Sequence, residues 1–145
     1  YEEVAFDLYP LVQHSQTTGL GRIGVLPTEM TWNDFINSVK EIFPWPHLRC
    51  GGFRRERVRN VAVLGGSGGR YLQKAKAVGA EVLITSDLGY HDFMLGKEIG
   101  LSLVDPGHHV MEAKGLNQLK EYLFREYAGE DLLISISKTQ VNPYF

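Results

Sequence analysis

The sequence contains one cysteine, Cys50, in 145 residues. A single cysteine excludes any internal disulfide and fits a reducing cytoplasm. No apolar run approaches the roughly 18–20 residues that a membrane-spanning helix requires. An excess of either charge is also missing. Fifteen Lys and Arg stand against 17 Asp and Glu, a formal net charge of −2. This balance makes no electrostatic case for binding nucleic acid or an anionic membrane. The opening YEEVAFDLYP has acids near its start and no long apolar stretch, unlike a secretory signal. An initiator methionine is absent, and Tyr1 reads as mid-strand, so a piece of a longer protein is expected. The remaining composition is that of a soluble globular domain, with 43% hydrophobic and 22% charged residues, and the length suits one domain with a real core. Internal repeats and low-complexity segments are lacking too.

Residues 2–11 mix β-formers with acids and end at Pro10, which predicts a short strand, suited to a sheet edge. VQHSQTTG is a polar loop. Leu20 to Leu26 alternate and predict a second strand. Trp32, Phe35, Ile36, Val39, Ile42 and Phe43 lie on one helical face, with Thr31 as N-cap and PWP as the stop. From there strands and helices alternate. VRNVAVLGG is a strand, GGRYLQKAKAVGA a helix closed by Gly79, and EVLITSD a strand. YHDFMLGKEIG is a helix closed by Gly100, LSLVD a strand, HHVMEAKGLNQLKEYLFREYA a long helix, and DLLISIS a final strand. Such alternation predicts an α/β fold with a mostly parallel or mixed sheet covered by helices. In the long helix, Leu116, Leu119, Leu123 and Phe124 are expected to pack in the core.

Ligands of open parallel sheets bind beyond the carboxyl ends of the strands. Three such ends carry polar groups: GGSGG (65–69), TSDLGYH (85–91) and DPGHH (105–109). GGSGG is no phosphate-binding P-loop, because no Lys-Ser/Thr pair follows, and Tyr71 stands where a dinucleotide fingerprint needs its last glycine. It matches G-x-S-x-G, which would make Ser67 a nucleophile with Asp87, Asp105, His91, His108 or His109 as partners. A glycine-rich turn that approaches a substrate or binds an anion through its N–H groups is the favoured reading. In TSDLGYHD, Asp87 and His91 suit an acid–base pair or groups supporting a metal, and Asp87 also suits a helix cap. In DPGHHVME, His108 and Glu112 are four residues apart, share one helical face, and together suit zinc, iron or manganese. His109 points elsewhere. The competing reading is an ordinary helix start, capped by Asp105 or Gly107. Cys50 lies in HLRCGGFRRER, whose basic residues would lower its pKa, although a half-buried strand cysteine is the simpler assignment. Four arginines between residues 54 and 59 would face an anionic substrate, a partner subunit or solvent. His14 and His47 read as structural or exposed.

The ordered set GLGRIGVLP, VAVLGGSGG, GAEVLITSDLGYHDF, LVDPGHHVME and NPYF resembles the Nif-three-like family, whose members carry the name GTP cyclohydrolase type 2 homologue. The resemblance spans residues 19–145. Residues 1–18 resemble the end of the PII- and CutA-like insert domain of longer bacterial members, plus a linker. The resemblance implies the second half of a two-halved α/β metal-binding domain and a ring-shaped homohexamer. It implies two divalent metal ions between the halves, with His108 and Glu112 as ligands and Asp87 and His91 lining the site. The remaining ligands, a His-His pair and an aspartate, would come from the first half. Ser86 replaces a usual glycine and His109 a usual aromatic; neither removes a ligand.

The expected function is that of a cytoplasmic, metal-dependent hydrolase acting on a nucleotide-like small molecule. The alternative is a regulatory or scaffolding ring whose metal is structural or sensory. A serine hydrolase built on Ser67 ranks third.

Overall fold

The computed structural model describes residues 19–43, 46–137 and 139. The strand expected within residues 2–11 and the PWP stop at 44–46 lie wholly or partly outside them. Five strands and four helices follow one another as β1 (Arg22–Thr31), α1 (Trp32–Ile42), β2 (Arg49–Gly52), β3 (Arg57–Ser67), α2 (Leu72–Ala77), β4 (Val82–Ser86), α3 (Tyr90–Ile99), β5 (Ser102–Asp105) and α4 (His108–Glu126). A 3₁₀ turn at Gly69–Tyr71 leads into α2. The strands form one mixed sheet in the order β1-β3-β4-β5-β2. Strands β3, β4 and β5 run parallel, and β1 and β2 pair antiparallel on the two outer edges.

The parallel centre follows from burial. Every residue of β4 and β5 is buried, as strands covered on both faces require. Successive side chains enter opposite cores. Val61, Val82, Ile84 and Val104 pack with Phe35 and Val39 of α1 and Met111 of α4. Ala62, Leu64, Leu83 and Leu103 pack with Leu72 and Ala75 of α2 and with Leu101, with Phe93 and Leu95 of α3 against them. The period of two in the strands thus divides the domain into three layers, helices–sheet–helices. No helix among the described residues is long and apolar enough to cross a membrane.

Local signals place the elements. Thr31 caps α1 by accepting from the Asp34 N–H at 3.2 Å, and its hydroxyl donates back to Asp34 Oδ2 at 2.6 Å. Such a cap contributes about 1 kcal/mol. Strand β1 runs five residues past the expected end because Pro27 falls within a register irregularity between Val25 and Met30, where an edge strand tolerates a residue without an N–H.

Two expectations fail. Residues 131–137 form no strand. They leave from the far end of α4, a 19-residue helix about 28 Å long, and Leu133 is 92% exposed. The α4 stripe is not core either: Leu116, Leu119 and Phe124 are exposed, and Met111 is the buried residue of the helix. Helix α4 meets β3 and β4 through its first turns and then runs beyond the sheet.

Candidate functional site

The carboxyl ends of β3, β4 and β5 bring together the glycine turn, Asp87 and the start of α4. His108 opens α4 after Gly107. Its Nδ1 donates to Asp87 Oδ2 at 2.6 Å, and its Nε2 lies 3.0 Å from Glu112 Oε1, one helical turn on. Carboxylates only accept, so each contact is a hydrogen bond when the facing ring nitrogen carries a proton. The Asp87 hydrogen bond is the main reason that its pKa lies above the ordinary histidine value. Partial burial opposes the shift, and Glu112 adds to it. Half-exposed side chains make up the cluster: His108 is 41% and Asp87 43% accessible.

Asp87 does not cap the next helix. Gly89 occupies the N-cap of α3, and the Asp92 carboxylate accepts from the Gly89 N–H at 2.8 Å. Asp87 instead takes a left-handed backbone, φ 58°, the one non-glycine residue among those described to do so. Backbone strain of that kind collects at functional sites and persists where the surroundings over-determine it. His91 lies exposed in the first turn of α3, its ring edge-on to Tyr90 at 5.5 Å. Among the described residues no hydrogen bond joins His91 to the Asp87–His108 pair.

The glycine turn is the floor of this cluster. Gly66 adopts φ 72°, and a Cβ there would stand 3.4 Å from His108 Nε2 and 3.6 Å from Glu112 Oε1. The bare backbone therefore leaves space beside those two atoms. Gly68 is obligatory for a different reason: a Cβ would lie 2.1 Å from Thr85 Oγ1. The buried Thr85 hydroxyl also donates to Gly66 O at 3.0 Å and holds the turn to β4. Ser67 is exposed at the end of β3. The ring nitrogens of His108 both face carboxylates, so it does not serve Ser67 as a base.

The donor set fits a divalent cation. Two ligand atoms 3.0 Å apart match neighbouring positions around one ion at about 2.1 Å. Asp87, against Nδ1, occupies the place from which a carboxylate orients a histidine that ligates a metal. No group of three or more His, Cys, Asp or Glu able to hold a metal occurs among the described residues; His108 and Glu112 are two.

The arginine cluster proves unrelated to this edge. Arg55 donates to the carbonyls of Glu81 and Gly100 and pairs with the Glu81 carboxylate, while Arg57 meets Glu29. These contacts lie at the amino ends of the strands, a β3 length of roughly 33 Å from the glycine turn. Besides Arg70, which follows the glycine turn and lies over the Tyr71 ring at 4.9 Å, the carboxyl edge carries Arg49, unremarked in the sequence. It opens β2, which runs antiparallel to β5, so it is paired with Asp105. Its guanidinium bonds the Asp105 carboxylate and stacks over Phe93 at 5.7 Å, yet its side chain stays 54% exposed. A local pattern does not reveal it, because the pairing spans 56 residues. Cys50 follows on β2, exposed. Desolvation raises its thiol pKa despite the opposing Lys40 charge, contrary to the lowering expected from basic neighbours.

The chain is similar to known proteins over most of its length. The chain is 42% identical over 128 residues to a Halalkalibacterium halodurans protein named GTP cyclohydrolase 1 type 2 homolog, covering 87% of this chain and 34% of that one. It is 37% identical over 147 residues to the Bacillus subtilis protein of the same name, covering 99% and 39%. The chain thus spans little more than a third of these relatives. A Bacillus cereus protein related to NIF3 superposes with a TM-score of 0.79 at 38% identity, over 100% of this chain and 40% of that one. A Staphylococcus aureus protein gives 0.80 at 29% identity, over 88% and 42%. Residues 5–143 match the family described as Duf34/NIF3 (NGG1p interacting factor 3), and the chain belongs to that family.

Proposed function

We propose that this chain supplies one half of a divalent-metal site in a hydrolase that acts on a nucleotide-like phosphate ester. The observation that carries the proposal is the facing pair His108 Nε2 and Glu112 Oε1, 3.0 Å apart over the bare backbone of Gly66. His108 and Glu112 are the ligands from this chain, for zinc, iron or manganese. Asp87 keeps a proton on Nδ1 and so presents Nε2 as the donor. His91, exposed at the α3 start, is the group placed to exchange a proton with substrate or solvent. The exposed guanidinium of Arg49 takes the anionic part of the substrate, the role that the four arginines of residues 54–59 are too distant to fill. A bound divalent ion supplies Lewis acidity, which activates water and stabilises charge on the leaving oxygen. The first-half ligands, a second metal ion and a homohexameric ring complete the same reading.

Glu112→Gln in the full-length protein tests it. Metal content measured by plasma emission and hydrolysis of a phosphate-ester panel including GTP should fall together to background. Undiminished hydrolysis by a metal-free variant overturns the proposal. Loss of assembly on chelation, with no hydrolysis in the intact protein, would instead favour a ring whose metal is structural.

A further inference from the structure

Asp105 takes no part in the chemistry above, yet it is the buried charge nearest to it. It ends β5 at 2% exposure. Its Oδ1 accepts from the Gly107 N–H at 2.9 Å, and its Oδ2 accepts from the Leu88 N–H at 3.2 Å and from the Arg49 guanidinium. Leu88 directly follows Asp87, and Gly107 directly precedes His108. One carboxylate therefore holds the chain beside each member of the Asp87–His108 pair. Gly107 takes φ 95° as glycine readily does, whereas Asp87 is held at φ 58°, rare for a residue with a side chain. Conformations of this kind relax unless neighbouring bonds enforce them. Burying a carboxylate without partners is costly, whereas three donors, one of them a guanidinium, satisfy it.

We infer that Asp105, with Arg49 as its counter-charge, is the positioning residue of this site. It locks the loop after β4 to the turn before α4, so that Asp87 Oδ2 stays within hydrogen-bond reach of His108 Nδ1. The arrangement converts two separate strand ends into one unit. It also explains why the β2 edge strand begins with arginine: the guanidinium closes the side of Asp105 that would otherwise meet solvent. The metal readout below rests on the proposed function; the geometric readout does not.

The test uses the full-length protein with Asp105→Asn and Arg49→Met. An amide in place of the carboxylate must turn a donor toward one of its three donors. Crystal structures of Asp105→Asn should show Asp87 leaving positive φ and the Asp87–His108 contact opening beyond roughly 3.5 Å. Cobalt titration followed by its visible absorption should show affinity reduced about 10- to 100-fold, the range for groups that orient metal ligands. Arg49→Met keeps both backbone donors and should lengthen the same contact with a smaller loss of cobalt affinity. An Asp105→Asn structure with Asp87 φ and the Asp87–His108 distance unchanged overturns the inference. If that variant does not fold, an Arg49→Met protein with unchanged distance and cobalt affinity overturns it. Wild-type protein that takes up no cobalt overturns the proposed function, and the crystallographic distance then judges Asp105 by itself.

Discussion

The two ends of the parallel strands use similar residues for opposite purposes. At the amino end, Glu81 accepts from the Arg59 and Asn60 N–H groups at 2.7 and 2.9 Å, Arg55 bridges Glu81 and Gly100, and Lys76 donates to Gly100 O at 2.9 Å. Glu81, Arg55 and Lys76 are spent there on backbone groups that join β3, β4 and β5. At the carboxyl end, His108 meets Asp87 and Glu112 and Arg49 pairs with Asp105; Asp87, His108, Glu112 and Arg49 remain open to solvent, and the backbone is strained at Asp87. Charges satisfied by backbone hold a sheet together; charges that face one another across an open surface are available to a ligand. The difference separates a structural constellation from a candidate site better than residue type does.

The largest expected effect breaks the carboxyl end mechanically. Gly68→Ala drives a methyl into the buried Thr85 side chain and should cost about 3 kcal/mol of stability in urea unfolding, the upper part of the usual overpacking range. Gly65→Ala, where a Cβ meets nothing within 4 Å, should stay within about 0.5 kcal/mol. Equal losses at the two positions would show that the turn tightens elsewhere.

Next, Asp87→Asn separates function from stability. The amide accepts from His108 less strongly and no longer favours its charged form. Cobalt affinity in the full-length protein should fall about 10- to 100-fold, while urea unfolding stays close to wild type. Unaltered affinity would remove Asp87 from the site.

The smallest effect belongs to the amino end. Glu81→Gln weakens two charge-assisted bonds to backbone N–H groups and should cost about 1–2 kcal/mol, with cobalt affinity unchanged. Partial burial would raise the Glu81 pKa, but the Asn60 and Arg59 N–H groups, helped by Arg55 and Lys76, lower it on balance. In the unfolded chain Glu81 protonates at the ordinary carboxyl value and in the folded chain only below it. Its contribution is therefore complete at neutral pH and disappears as the pH falls through the lowered folded-state value. Stability of wild type and Glu81→Gln should converge on acidification; a constant gap would refute the assignment.

Much of this was legible in the chain. The alternation of apolar strands with helices, Thr31 as a cap, and Gly79 and Gly100 as helix ends all depend on neighbours within a few residues. The His108–Glu112 pair was legible for the same reason, because helical spacing alone puts the two on one face. Local pattern misled where the partner is remote. The α4 leucines repeat like a core stripe, yet repetition does not say whether a sheet lies beneath them. DLLISIS has strand composition and no strand beside it among the described residues. Arginines crowded into residues 54–59 drew attention, while Arg49 reached Asp105 at the carboxyl edge.

The sequence by itself determined most element types, the three polar strand ends and the spacing that pairs His108 with Glu112, because these follow from dihedral preferences and periodicity over short distances. Only the tertiary structure decided that Asp87 turns toward His108 rather than capping α3, that Gly66 leaves room beside the two candidate ligands, and that Asp105 ties Arg49, Leu88 and Gly107 together. The Asp105–Arg49, Asp105–Leu88 and Asp87–His108 contacts join residues 17 to 56 positions apart, and the room at Gly66 depends on how strands align. Strand order and register arise from burying two faces of one sheet at once, a condition that no local window contains.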